Sequence, residues 1–262
     1  MSIWAIANQK GGVAKTTTVI TLASLLAQRG ESTLILDLDP HGSLTTYLGY
    51  DPDIIDTSIY TLFQKLDNTP KGAIFQSLKK TRHENIFLLP ASTAMATLDR
   101  QLGAQQGKGL IIRKTLSFFK GRFKHVFIDC PPMLGVLMIN ALAACDRLLI
   151  PVQTEFLSMK GLEHMLHTVS MIDHSRRVSL PYLIVPTMHD ASLTAASDIL
   201  IQLREQYGQR VWNGYIPVDP AFREASKLGL PLPEMQPQAE GCLAYSQLLD
   251  VLIQTEAQRS HG

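Results

Sequence analysis

Gln9-Lys10-Gly11-Gly12-Val13-Ala14-Lys15-Thr16-Thr17 gathers two lysines, two glycines and two hydroxyls between the apolar run 3–7 and a helix-like stretch over 16–28. Successive backbone N–H groups of a glycine-rich turn point into one concavity. The helix that follows adds its positive dipole end, so such a loop takes up polyphosphate. Lys15 is then placed for the terminal phosphates and the Thr16 hydroxyl for Mg²⁺, with Gly11, Gly12, Val13, Ala14 and Thr17 completing the cradle. Ala14 is its soft point. Where the backbone needs positive φ, alanine costs about 1 kcal/mol or more relative to glycine.

A cradle alone hydrolyses nothing, and two further segments offer carboxylates. The run 33–38 closes on Asp37-Leu38-Asp39-Pro40-His41-Gly42-Ser43, two acids two residues apart at a strand end, where both are expected to approach a metal-bound triphosphate. The apolar segment Val126-Phe127-Ile128 closes on Asp129-Cys130-Pro131-Pro132. Taken alone, that acid is equally a plain strand terminus. His41 is assigned no role, a solvated loop histidine being as good a description.

These residues must be held by regular elements. Apolar runs at 3–7, 33–38, 86–90, 125–129, 147–153, 182–186 and 211–217 alternate with helical patterns. The expected fold is therefore α/β, a mostly parallel twisted sheet with helices on both faces, covering residues 1–262 as a single domain. Asp37, Asp39, Pro90, Asp129, Pro151 and Pro217 fall at run ends, where ligands bind in open parallel sheets. The segment 51–82 is the least periodic and reads as an insertion or mobile lid. Cys130, Cys145 and Cys242 are too far apart for a C-x-x-C site and read as small core residues. No apolar run approaches the roughly 18 to 20 residues of a membrane span, and Met1 leads directly into a strand, so the cytoplasm is the expected compartment.

The loop departs from the ordinary phosphate-loop pattern G-x-x-x-x-G-K-[ST], with Gln9 and Ala14 at the two glycine positions. It fits x-K-G-G-x-x-K-[ST], the deviant Walker A pattern of the ParA/MinD group of P-loop ATPases, which the chain resembles over nearly its whole length. The resemblance implies ATP and Mg²⁺ as cofactors. It also implies a homodimer formed on ATP, in which Lys10 reaches the nucleotide of the partner subunit. It makes Lys10, Lys15 and Asp39 the catalytic set and Thr16, Asp39 and Asp129 the metal set. Asp39 is matched to switch I, and Asp129 to the aspartate that holds Mg²⁺ through water. Pro217 and Asp219, in Ile216-Pro217-Val218-Asp219, are matched to backbone contacts with the adenine base.

Family members are slow, partner-stimulated spatial switches whose cargoes differ. A membrane anchor needs a basic amphipathic C-terminal helix; Leu248, Leu249, Leu252 and Ile253 are followed only by Arg259, so that helix is expected to pack on the sheet instead. From Lys160 onward 8 Lys and Arg stand against 11 Asp and Glu, a balance of −3 that leaves only a weak DNA footprint. Arg176, Arg177, Arg223 and Lys227 compensate in part. The acid-free set Lys108, Arg113, Lys114, Lys120, Arg122 and Lys124 reads as a solvated helix face, with a partner site as the alternative.

Segments 39–50 and 151–163 resemble the ParC-like ATPases of polar chemotaxis operons. This implies positioning of chemotaxis arrays with a protein partner and concentration at the cell pole. The alternatives are a plasmid or chromosome partition ATPase acting with a ParB-like stimulator on nonspecific DNA, and a noncatalytic nucleotide-gated scaffold. A metabolic P-loop kinase or reductase lacks any substrate or cluster motif.

Overall fold

The computed structural model describes residues 1–65, 71–102, 108–175 and 179–260. Arg176 and Arg177, and the side chains of Lys108 and Arg259, lie outside the described residues. Among the described residues seven strands form one sheet: β1 Ser2–Ile6, β2 Thr33–Asp37, β3 Lys79–Lys80, β4 Ile86–Leu89, β5 His125–Asp129, β6 Arg147–Gln153 and β7 Tyr182–Thr187. The helices are α1 Lys15–Gln28, α2 Ser43–Tyr47, α3 Ile59–Lys65, α4 Lys71–Gln76, α5 Leu98–Leu102 and α6 Ile111–Ser117. They continue with α7 Val136–Ala144, α8 Phe156–Ser175, α9 Thr194–Tyr207, α10 Ala221–Leu228, α11 Leu232–Met235 and α12 Glu240–Ser260.

The strand order is β3-β4-β2-β5-β1-β6-β7, parallel throughout except for the short antiparallel edge strand β3. β1 lies between β5 and β6, so the chain leaving β1 emerges beside both, a position where open parallel sheets bind ligands. Register then aligns the strand ends. Ile6 pairs with Asp129 and Asp129 with Asp37, so the exit of β1 and both acidic strand ends stand in one row.

Side chains alternate between two cores, as the period-two geometry of a strand requires. Ile3, Ala5, Leu34, Leu36, Val126, Ile128, Leu148 and Ile150 face a core covered by α3, α6, α7 and α8. Trp4, Ile6, Ile35, Phe127 and Leu149 face the other, covered by α1 and α12. The central strands are apolar on both faces because both are covered. Leu248, Leu249 and Leu252 of α12 are fully buried in the second core, as expected of a helix packed on the sheet. All three cysteines are buried and free, and no described helix is long and apolar enough to cross a membrane.

Two expectations are corrected. Residues 211–217 do not form a strand: only Val211 and Pro217 make isolated bridges, to Ile184 and His189. Pro217 has no N–H to donate. Between the two bridges the chain turns at Gly214, where a Cβ would come within 2.5 Å of the Trp212 ring. The segment 51–82, read as an insertion or mobile lid, is in its described part a packed piece of the fold that supplies α3, α4 and β3 and buries Ile59, Leu62, Phe63 and Ile74 in the first core.

Candidate functional site

After β1 the chain leaves the sheet through Asn8. Its Nδ2 donates to the Pro151 carbonyl at 2.8 Å and its Oδ1 accepts from the Lys10 N–H at 3.1 Å. β1 pairs only with Arg147, Leu148 and Leu149 of β6, so Pro151 interrupts no ladder bond to β1 and its carbonyl is left for Asn8. The loop then turns through two left-handed residues, Gly12 at φ 72° and Ala14 at φ 68°. A Cβ on Gly11 or Gly12 would meet no protein atom within 4 Å, so the concavity is open. Ala14 stands at the N-cap of α1 with no side-chain cap, which leaves the first backbone N–H groups of the helix directed at that concavity. No proline or glycine interrupts the 14 residues of α1, which anchors this end by burying Val19, Ile20, Leu22 and Leu26.

Lys15 lies almost buried beneath the loop, its Nζ donating to the Lys10 carbonyl at 3.1 Å. Burial lowers its pKa, while the negative charges of Asp129 and Asp39 oppose that shift. The Thr16 hydroxyl donates to Asp129 Oδ2 at 2.7 Å. The other oxygen, Oδ1, is buried with no hydrogen-bond partner. Burial and then the charge of Asp37 push the Asp129 carboxyl well above the usual carboxylate range. An acid so placed is stabilised in its charged form by a cation.

The two acids after β2 take different roles. Asp37 is fully buried and accepts from the Thr45 N–H at 2.8 Å, the Thr45 hydroxyl at 2.7 Å and the Asp39 N–H at 3.1 Å. Burial pushes it up to about 6 against those hydrogen bonds. It therefore does not share the metal approach expected for it, because its oxygens are spent fixing the start of α2. Asp39 carries its carboxylate outward. Its Oδ1 accepts from the His41 N–H at 3.0 Å and pairs with His41 Nδ1 at 2.8 Å, and its charge acts on both Lys15 and Asp129.

Beside the loop lies a cavity of about 540 Å³ lined by Ala14, Thr17, Pro217, Asp219, Phe222 and Tyr245 among others. Pro217 and Asp219 thus stand next to the glycine-containing loop. The Asp219 carboxylate is occupied by the N–H groups of Ala221 at 2.9 Å and Gly241 at 3.0 Å, so it shapes the loop while the cavity meets backbone and apolar surface. Phe222 and Tyr245 meet edge to face at 5.8 Å. Neither could be singled out from the sequence, since the contact joining Tyr245 to Thr18 spans 227 residues with no local motif. Lys10 also has partners that spacing did not show. Its Nζ is bonded to Glu155 and, at 2.9 Å, to the Ser158 hydroxyl of the same chain.

A family model described as an AAA domain matches residues 1–182. The chain is 33% identical over 253 residues to the chromosome-partitioning ATPase Soj of Treponema pallidum, covering 96% of this chain and 97% of that protein. It is 30% identical over 262 residues to the chromosome partitioning protein ParA of Caulobacter vibrioides, covering 99% and 96%. Among solved structures, cobyrinic acid a,c-diamide synthase of Mycobacterium smegmatis with bound ADP and magnesium superimposes with a TM-score of 0.81 at 32% identity, covering 96% of this chain and 94% of that one.

Proposed function

Because the chain belongs to the ParA-type P-loop ATPases within the AAA-domain family, we propose that it is an ATP-dependent spatial switch. It binds ATP with Mg²⁺, pairs with a second copy of itself while ATP is held, and hydrolyses the nucleotide slowly under the control of a protein partner. The observation that carries this is the meeting of Lys15, Thr16, Asp39 and Asp129 at the uncapped N-terminus of α1. The ADP and magnesium in the mycobacterial synthase support the choice of ligands.

The donor set fits a hard divalent cation. Thr16 Oγ1 and Asp129 would hold it, and the partnerless Oδ1 of Asp129 is an oxygen in need of positive charge. When bound, Mg²⁺ would supply charge neutralisation on the triphosphate. Backbone N–H groups from Gly11, Gly12, Val13 and Ala14 to Thr16 and Thr17 cradle the phosphates. Lys15 transfers its ammonium from the Lys10 carbonyl to the terminal phosphates. Asp39 orients the water whose oxygen bonds to the γ-phosphorus as the bond to the ADP oxygen breaks. The base takes the cavity beside Pro217 and Asp219. Lys15→Ala should abolish ATP binding in calorimetry, and tight binding by that variant would remove the central claim.

For cargo, the branch-like segments 39–50 and 151–163 and the weak cationic balance after Lys160 support chemotaxis arrays at the cell pole, reached from the cytoplasm. Partition is a second proposal, favoured by the relatives named for chromosome partitioning and requiring a ParB-like stimulator and nonspecific DNA. A fluorescent fusion followed with and without neighbouring chemotaxis genes separates them. Polar foci that vanish with those genes support the first. Nucleoid staining independent of them, together with an ATP-dependent gel shift across a salt series, supports the second.

A further inference from the structure

Lys10 is a cation in a loop shaped for anions, yet its ammonium is already occupied within its own chain. Glu155 supplies the carboxylate and Ser158 a hydroxyl at 2.9 Å, from the turn and first residues of α8 that follow β6. The grip extends along the loop. Asn8 ties the Lys10 N–H to the Pro151 carbonyl, and Gln9 Nε2 donates to the Thr168 hydroxyl at 2.7 Å. Gly161 brings α8 so close that a Cβ there would lie 3.3 Å from the Lys10 Cβ. Residues 8–10 are therefore strapped to β6 and α8 by backbone and side chain together.

We propose that Glu155 and Ser158 are positioning residues that hold Lys10 against its own chain until a triphosphate displaces Glu155, and so set the ATP concentration at which two chains pair. The inference rests on the proposed role of Lys10 as a ligand shared between two subunits. Glu155 acts as an internal stand-in for phosphate: one negative charge against the roughly twofold net charge of a magnesium-bound triphosphate, a contest that the nucleotide wins by Coulomb attraction. The contact is half-exposed, with side-chain exposures of 25% for Lys10 and 44% for Glu155, so the hold is weak enough to be reversible. Between the two gripping residues, Phe156 and Leu157 are 72% and 68% exposed, large apolar side chains beside the nucleotide loop that a second copy can cover.

The test compares the full-length wild type with Glu155→Gln, Ser158→Ala and Lys10→Ala, titrating a slowly hydrolysed ATP analogue with Mg²⁺ and following dimer by analytical ultracentrifugation. Glu155→Gln should lower the half-dimerisation concentration by about three- to fivefold, the range set by a partly exposed ion pair, and Ser158→Ala by less. The nucleotide-free protein should lose no more stability than that same fold-change represents, because the ion pair is made in the folded monomer and absent from the unfolded chain, and this separates release of Lys10 from a structural defect. If Lys10→Ala fails to dimerise while Glu155→Gln and Ser158→Ala keep or raise the wild-type threshold, the hold on Lys10 is overturned and its role between subunits stands. If Lys10→Ala dimerises like the wild type, that role fails first and the proposal falls with it.

Discussion

The Thr16 hydroxyl donates to Asp129 Oδ2 at 2.7 Å across 113 residues of sequence, while Oδ1 of the same carboxylate is buried without a partner. This joins the start of α1 to the end of β5 and leaves one acidic oxygen whose isolation is costly in the unliganded protein.

Asp129→Asn should therefore stabilise the nucleotide-free protein while removing its response to the metal. We expect a gain of about 1 kcal/mol in urea unfolding, since a neutral amide is less penalised by burial than a carboxylate. The added stabilisation by ATP with Mg²⁺ over ATP alone should vanish. Retention of the full magnesium-dependent shift would exclude Asp129 as the metal-holding group.

Ala14 occupies the left-handed region at φ 68° and ψ 29°. Ala14→Gly should raise stability by about 1 kcal/mol, because glycine enters that region without the Cβ penalty and part of the gain is offset by its greater freedom when unfolded. Equilibrium denaturation of the two proteins measures this directly. A destabilised glycine variant would mean that the loop relaxes out of this conformation in solution.

His41 gives two hydrogen bonds' worth of contact to Asp39 Oδ1, of which the side chain supplies one. His41→Ala should leave ATP affinity unchanged and slow phosphate release about three- to tenfold, the signature of a group that matters for turnover more than for binding. Asp39→Ala should bind ATP, accumulate as dimer and release no phosphate. Size-exclusion chromatography with ATP checks the second variant, and a monomer there would reassign Asp39 to dimerisation.

Acid should destabilise the protein through Glu31 and His125, whose Oε2 and Nε2 lie 2.5 Å apart. Burial holds the His125 imidazole below its ordinary 6.5, with Glu31 opposing in part. Burial tends to raise Glu31, but the hydrogen bonds from Lys124 and His125 outweigh it and leave the carboxyl below 4.5. Both folded-state values are depressed, so both contributions are present at high pH. They are lost as pH falls, first below 6.5 as the unfolded histidine protonates and then below 4.5 for the glutamate. Urea midpoints from pH 8 to pH 4 should decline in that order. His125→Phe, beside Trp4, should flatten the upper part of the curve.

Much of the site was legible because its chemistry is local. The cradle residues from Gly11 to Thr17 are contiguous, and Asp39 and Asp129 each close an apolar run whose period and length mark a strand. The same logic failed at 211–217, where apolar residues lie against β7 without making a ladder, since hydropathy reports burial and not hydrogen bonding. It failed again at Asp37. Two acids two residues apart look equivalent in sequence, but one points into the protein toward Thr45 and the other out toward the loop.

The alternation of strands and helices, the open glycine-containing loop and the identity of the acids at the strand ends are legible in the chain, because each depends on neighbours within a few positions. Which groups meet depends on long-range packing. Strand register set Asp129 beside Ile6 and so beside Thr16. The packing of α12 brought Tyr245 to the cavity beside the loop, and the approach of α8 at Gly161 gave Lys10 to Glu155. Those contacts span roughly 110 to 230 residues, and they follow from how two cores are filled on opposite faces of one sheet, a property of the whole chain that no segment carries.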